Sequence, residues 1–434
     1  MIICPDWLVT SAEHVEQAVA IRIHGGTVDS TGSTTELIAR FPEDEVVDAS
    51  GCAVLPGFVN SHVHLYGTLA HGIVIETPPT GFESFLDDYW WPQVEDRLDR
   101  QMIAAASEWV CAEMLRTGTT TFFDICEAPG ALSGVLETEA EQARRSGLRG
   151  IFSFEATERA GATVAELSLQ ENLDFIDEHR DDELISGAMS WHTVFTCSPG
   201  FIERAATEAR SRNTWFHAHC NEGTHEGNWA REHLGQDTMA FYRDLGIASS
   251  SFLASQCVQM TDDELEIIAT SGTRVSHMPL SNCEVGGGIA PISELQSKGA
   301  TIGLGTDGYV NDMYEVMRGA FWLQKARLLD PSATPAHDVL HMATEGGAKA
   351  LGIDRLGRLE PDWKADLQIV KLDLPTPIDP TTFADQLVLW RSGHHVRDVM
   401  VAGKWRVRNG EVLGIDVERS GARIREEASR LWGR

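Results

Sequence analysis

The chain has 434 residues, 42% hydrophobic and 23% charged, with a formal net charge of −30. That composition describes a globular protein too long for one small core, so one large and one smaller domain are expected. An acidic surface repels phosphate backbones, which excludes nucleic acid as a partner, and no apolar run reaches membrane-spanning length, which excludes a transmembrane role.

The start, Met1-Ile2-Ile3-Cys4-Pro5-Asp6, lacks the basic head and long apolar stretch of a signal peptide, so a cytoplasmic location is expected. The eight cysteines are scattered with no Cys-X-X-Cys and read as reduced core thiols rather than a disulfide or zinc-finger framework. Only six of the 35 basic residues are Lys; with the acidic balance this fits either a salt-rich cytosol or a GC-rich genome that favours Arg.

Residues 1–55 carry short β-like pieces, Ala18–Ile23 and Glu45–Asp48, separated by turns such as Gly25-Gly26. The C-terminal stretch has the same texture at Ala365–Val370 and Val396–Gly403, so the two ends are expected to form one small β-domain. Between them, strand-like segments at 53–59, 120–125, 148–155, 187–192, 214–219, 252–257, 273–277 and 301–307 alternate with helix-like ones, for example 102–117, 162–180, 201–211, 262–270 and 291–298. Eight strands alternating with helices predict a (β/α)₈ barrel. A doubly wound sheet fits less well, because no Gly-X-Gly-X-X-Gly opens a helix.

In such a barrel the C-terminal strand ends face one mouth, where chemistry is located. Reading those ends gives His62 and His64 on the first strand, His192 on the fourth, His219 on the fifth, Gln256 on the sixth, His277 on the seventh and Asp307 on the eighth. Residues two apart in a strand share a face, so His62-Val63-His64 can place two imidazoles on one metal ion. A bare His-X-His is weak evidence, and the set of strand ends carries the argument. Glu222, three residues after His219, is placed for acid/base work beside a metal-activated water. His217 lies deeper and reads as a hydrogen-bonded layer residue. Asp307 ends an otherwise apolar strand, where a carboxylate needs a cation or a cluster of donors. The aromatic stretch Phe82, Phe85, Tyr89, Trp90 and Trp91 is either a lid over the mouth, with Phe85 and Trp90 touching substrate, or helix packing on the barrel.

The segments Pro56-Gly57-Phe58-Val59-Asn60-Ser61-His62-Val63-His64, His219 to Glu222, His277-Met278-Pro279-Leu280-Ser281-Asn282 and Gly303-Leu304-Gly305-Thr306-Asp307-Gly308 together resemble the amidohydrolase superfamily. They are most similar to its cytosine/guanine/S-adenosylhomocysteine deaminase and triazine chlorohydrolase branch. Asn60–Ala70, Tyr89-Trp90-Trp91 and Glu155–Gly161 further resemble the SsnA-type aminohydrolases. The likeness spans nearly the whole chain. It implies an α/β fold: a TIM-type barrel over 56–364 and a small β-sandwich built from 1–55 plus 365–434. It implies one divalent metal ion, zinc first and iron or manganese otherwise, held by His62, His64, His219 and Asp307. Glu222 would be the proton shuttle, and His192 and His277 would belong to the substrate pocket. The fourth strand ends Ser190-Trp191-His192 with no Lys, which favours one metal over two. A homodimer or higher homo-oligomer is implied as well.

One departure stands out. The sixth strand of this family usually ends Ala-His-Cys-Val-His, whereas here it reads Ser255-Gln256-Cys257-Val258-Gln259. Gln256 cannot take a proton near neutral pH, so acid/base work falls to Glu222 and Asp307, and Gln256 is left to orient water or polarise the leaving group. Three readings follow. The first is hydrolytic deamination of an amino-substituted nitrogen heterocycle, releasing ammonia. The second is a chlorohydrolase or cyclic-amide hydrolase on the same metal site. The third is a non-catalytic binding protein with a degenerate site. An acidic field disfavours phosphorylated or acidic ligands, so a neutral small-molecule base, nucleoside or pterin-like ring is the expected substrate.

Overall fold

The computed structural model describes residues 1–75 and 78–433. Eight strand positions line up in sequence order with parallel pairing. The first is Phe58–Val63, the second Thr119–Cys126 and the third Arg149–Ala156. The fourth is split into Ile185–Gly187 and Met189–Trp191. The fifth is Phe216–Cys220, the sixth Phe252–Gln256, the seventh Arg274–His277 and the eighth Ile302–Leu304. Helices fall between them as the periodicity predicts. Arg100–Arg116 starts where Asp99 accepts from the Gln101 and Met102 amides, and Asp262–Ser271 opens on a Thr261/Glu264 capping box and stops at Gly272 with φ +76°.

The expected first strand, 53–59, is in fact a junction. Ala53–Pro56 ends the strand Val46–Pro56 of the other sheet, and the barrel begins at Phe58. The apolar run is continuous because Cys52–Pro56 and Phe58–Val63 are buried on both faces, so alternation marks no boundary there. The eighth strand is also shorter than predicted, ending at Leu304. Beyond it, side chains and backbone clasp the eighth strand to the first. Asn60 Nδ2 donates to Thr306 Oγ1 at 2.8 Å, the Thr306 amide donates to Asn60 Oδ1 at 3.1 Å, and Ser61 Oγ donates to the Leu304 carbonyl at 2.9 Å. The Thr306 and Asp307 amides both donate to the His62 carbonyl, at 3.0 and 3.1 Å. This approach requires glycine: a Cβ on Gly305 would sit 2.7 Å from the His62 carbonyl oxygen, and one on Gly303 2.8 Å from Ser61 Oγ.

The chain ends build one mixed sheet. Its path runs Glu411–Val412, Lys404–Arg408, Val396–Val401, Leu367–Lys371, Val46–Pro56, Ile2–Ser11, Val19–His24 and Thr27–Ser33, with His14–Gln17 on Ile2–Ser11. Alternation sorts its two faces. Leu8, Val54, Ile369 and Met400 join a small core of their own, while Val9, Ala53, Leu55, Val370, Val399 and Val401 join the main core shared with the barrel. The C-terminal stretch is not all strand. Phe383–Trp390 and Val417–Leu431 are helices, and the latter packs on Arg100–Arg116 through Ile424 and Leu431. No helix among the described residues is long and apolar enough to cross a membrane.

Candidate active site

The strand ends bring His62, His64, His219 and Asp307 together. One ligand atom from each lies within 4.8 Å of the others, and all four residues are buried. Asp307 Oδ1 is 3.0 Å from His62 Nε2 and 3.2 Å from His64 Nε2. His64 Nδ1 donates to the Ile125 carbonyl at 2.6 Å, which fixes the tautomer and leaves Nε2 as a free donor pair for a cation. The other Asp307 oxygen, Oδ2, accepts from Gln256 Nε2 at 2.9 Å and from the Ser281 hydroxyl. Asp307 (φ +59°) and Gln256 (φ +70°) both hold left-handed backbone, a conformation that costs non-glycine residues about 1–2 kcal/mol and clusters at functional sites.

The electrostatics fit a divalent cation. Burial lowers His62 to about 4, whereas Asp307 overcomes the burial of His64 and raises it to about 10. A buried carboxylate among imidazoles draws positive charge, which a proton on His64 or a metal ion supplies, and three imidazoles with one carboxylate form a donor set suited to zinc or a similar ion.

Around the cluster lies a cavity of ≈ 50 Å³, enough for water but not for a heterocycle. His192, Glu222 and Glu155 line it, with Phe82, Phe85, Trp90 and Trp91 over it. Burial, followed by the charge of Asp307, raises the Glu222 carboxyl well above the ordinary range, and no donor among the described residues bonds its side chain. His192 Nδ1 pairs with Thr196 Oγ1 at 2.8 Å, and burial lowers it to about 3. The aromatic stretch forms short helical turns over Phe82–Gln93, and Phe85 and Trp90 also border an outer pocket of ≈ 530 Å³. Tyr89 lines only the outer pocket.

His277 does not line the cavity, contrary to its expected place in the substrate pocket. It is 1% exposed with neither ring nitrogen bonded, and burial lowers it to about 3. Its carbonyl instead accepts from the Gly305 amide, so the residue takes part in the pairing of the last two strands. His217 is buried between Ser190 Oγ at 2.8 Å and Ser255 Oγ at 2.9 Å. Gln259 donates to the Gly287 carbonyl at 2.6 Å and ties loops together.

Sequence reasoning missed Glu155, Glu95 and Arg159. Glu155 is next to last in the third strand, with Oε1 2.6 Å from His219 Nδ1 but off the N–H line. Burial would raise its carboxyl, yet His219 and His192 hold it below the ordinary range. Glu95 accepts from Tyr66 Oη at 2.8 Å and from Arg159 at 3.0 Å. Arg159 also pairs with Asp96 and Glu127 and lies 4.9 Å above the Trp91 ring. A glutamate near the end of an otherwise apolar strand was the available signal for Glu155.

The profile of the Amidohydrolase family matches residues 53–406. A 5-methylthioadenosine/S-adenosylhomocysteine deaminase of Nitratidesulfovibrio vulgaris is 32% identical over 411 residues, covering 94% of this chain and 91% of that one. A 5'-deoxyadenosine deaminase of Methanothermobacter thermautotrophicus is 32% identical over 375 residues, covering 85% of each. Among solved structures, an adenosine deaminase from Xanthomonas campestris with bound zinc superposes with a TM-score of 0.91 at 27% identity, over 100% of this chain and 98% of that one. The chain belongs to the amidohydrolase family.

Proposed function

We propose that the protein is a metal-dependent aminohydrolase that deaminates an amino-substituted nitrogen heterocycle, turning ring C–NH₂ and water into ring C=O and ammonia. The observation that carries it is the meeting of His62, His64, His219 and Asp307 at one point with Glu222 in the wall of the same cavity. Relatives named as nucleoside deaminases over nearly the whole length support the reaction type. Zinc is the favoured cation because the similar adenosine deaminase carries it. Bound there, such a cation acidifies water so that a nucleophile exists near neutral pH.

The chain's own residues do the rest. Asp307, steadied at Oδ2 by Gln256 and Ser281, accepts the proton of the attacking water. Glu222, kept protonated by burial and by Asp307, donates to the ring nitrogen beside the reacting carbon; the proton held by Asp307 then passes to the departing amine, and the added hydroxyl, as it becomes the carbonyl, returns a proton to Glu222. Gln256 supplies an amide donor, to Asp307 Oδ2 at 2.9 Å, at a strand end where the sequence pattern of the family it resembles has His. His192 offers Nε2 to the ring, its Nδ1 being held by Thr196. Phe85 and Trp90 cover the ring and exclude water. Because the cavity is ≈ 50 Å³, the cover opens for substrate to enter. We place the protein in the cytoplasm as a homo-oligomer, on the likeness of its sequence to that family.

The test is ammonia release by the zinc-loaded protein from a panel of purines, pyrimidines, pteridines and their nucleosides. Glu222→Gln should lower turnover by about 10²–10⁴-fold with metal content unchanged. Full activity of that variant would remove Glu222 from the mechanism.

A further inference from the structure

The first barrel strand, which carries His62, does not run straight along the second. Its register slips between Asn60, opposite Phe122, and Val63, opposite Asp124, so that three steps along one strand match two along the other. That is a bulge, a feature that re-aims side chains and ends pairing. The first strand stops at Val63, while the second runs on to Cys126. Two backbone groups that a longer ladder would use are taken instead by side chains. The Ile125 carbonyl accepts from His64 Nδ1 at 2.6 Å, and the Leu65 amide donates to Asp124 Oδ1 at 2.8 Å. His64 is thus held by its ring and, through the next residue, by its backbone, both times from the second strand. Asp124 is fully buried, and a carboxylate there is costly unless its oxygens are paired. No N–H or hydroxyl among the described residues reaches Oδ2. The remaining partner is the carboxyl of Glu139, from the helix Val135–Ser146 and also fully buried. Burial, then the charge of Asp124, raises Glu139 well above the ordinary carboxyl range. Glu139 therefore keeps its proton and donates it to Asp124.

We propose that Asp124, braced by Glu139, is a positioning residue for the metal site: by taking the Leu65 amide it fixes the backbone that follows His64 and so aims the His64 ring at the cation. This rests on the metal-site part of the reading above and is independent of which ring is deaminated. Neither carboxyl lines the metal cavity, so both act through His64. A helix–strand contact that only had to pack would be filled as well or better by apolar side chains. A carboxylate bonded to the amide next to a ligand serves alignment instead. The two ends of the ligand pair are then held alike. The closing seam grips His62 by its carbonyl, through the Thr306 and Asp307 amides, and the second strand grips His64.

The experiment compares Asp124→Ala and Asp124→Asn with the wild type, each stripped of metal and reloaded with zinc or with cobalt(II). It reads zinc affinity by chelator competition, the visible spectrum of the cobalt form, and the stability of the metal-free protein in denaturant. Asparagine keeps an oxygen for the Leu65 amide and a polar partner for Glu139, whereas alanine keeps neither. Asp124→Ala should bind zinc about 10- to 100-fold more weakly and shift the cobalt bands, while Asp124→Asn stays close to the wild type in both. If Asp124→Ala does not fold, Leu65→Pro removes the donated N–H instead. Leu65 opens the short helical turn Leu65–Ala70, a first position that suits proline, and this variant should show the same loss. Wild-type zinc affinity and cobalt spectrum in folded Asp124→Ala or Leu65→Pro would overturn the proposal, whatever the change in stability. So would an Asp124→Asn variant as weak as the alanine one, since charge rather than the hydrogen bond would then hold the metal. A wild type that takes up no metal would overturn both this proposal and the reading it rests on. If zinc affinity followed the prediction but no ring released ammonia, the positioning assignment would stand and the deaminase reading would fall.

Discussion

Asn60 tests whether the clasp between the first and eighth strands is what aligns the proposed metal ligands. The residue is fully buried and makes two good hydrogen bonds across the closing seam, Nδ2 to Thr306 Oγ1 at 2.8 Å and Oδ1 from the Thr306 amide at 3.1 Å, with a longer one from the His62 amide at 3.4 Å. In Asn60→Ala the Thr306 amide keeps its bond to the His62 carbonyl at 3.0 Å, so it is not orphaned. Two net bonds at about 1 kcal/mol each, plus the small void left by the amide, give an expected loss of about 2–3 kcal/mol. The His62 and Asp307 backbones hang from this same seam, so metal affinity should fall with stability, by about 10-fold or more. Chemical denaturation of the metal-free protein and competition with a chelator of known affinity measure the two effects separately. A loss below about 0.5 kcal/mol with unchanged metal affinity would refute the clasp as the aligning device.

Three further outcomes are expected. Gln256→Ala removes the 2.9 Å donor to Asp307 Oδ2 and should weaken metal binding about 10- to 100-fold in a chelator competition; unchanged affinity would leave Gln256 without a supporting role. Gly118→Ala should destabilise by about 2–4 kcal/mol, because φ is +88° and the new Cβ would lie 2.1 Å from Gln368 Oε1, the oxygen that accepts from Tyr314 Oη; a neutral effect in denaturation would show that the seam between sheet and barrel yields freely. Burial raises Glu226 to about 8, so its contribution to stability is full below the unfolded carboxyl value near 4.5 and is lost as pH rises through about 8. Glu226→Gln should therefore gain on the wild type across that window, by a few kcal/mol at its upper end, and parallel stability–pH curves would contradict the assignment.

Much of the barrel was legible because its strands are short apolar runs between longer amphipathic helices, so that length and flanking turn residues tell the two apart. The first strand was misplaced because Cys52–Pro56, the end of one strand, and Phe58–Val63, the start of the next, are both buried on each side and no polar residue marks the break. The helix Val417–Leu431 went unread because the strand-like texture before it invited extension. Its apolar residues Ile424 and Leu431 meet the barrel rather than the terminal sheet. At the site, the four ligand candidates sit at strand ends, where chain position predicts location. His277 sits at a strand end too, yet it is sealed in the seam; position along a strand does not say which way a ring turns. Glu155 was passed over because nothing along its strand marks it as facing the cluster, and only its 2.6 Å approach to His219 Nδ1 in three dimensions makes it informative.

The central claim is a single divalent cation held by His62, His64, His219 and Asp307 and required for ammonia release. The most direct test is metal analysis of the protein purified without chelator and after reconstitution with zinc, beside Asp307→Ala treated identically. The account predicts one equivalent in the wild type, loss of that equivalent in Asp307→Ala, and restoration of ammonia release when zinc is returned to stripped wild-type protein. Two equivalents, or none taken up by a folded wild type, would contradict it.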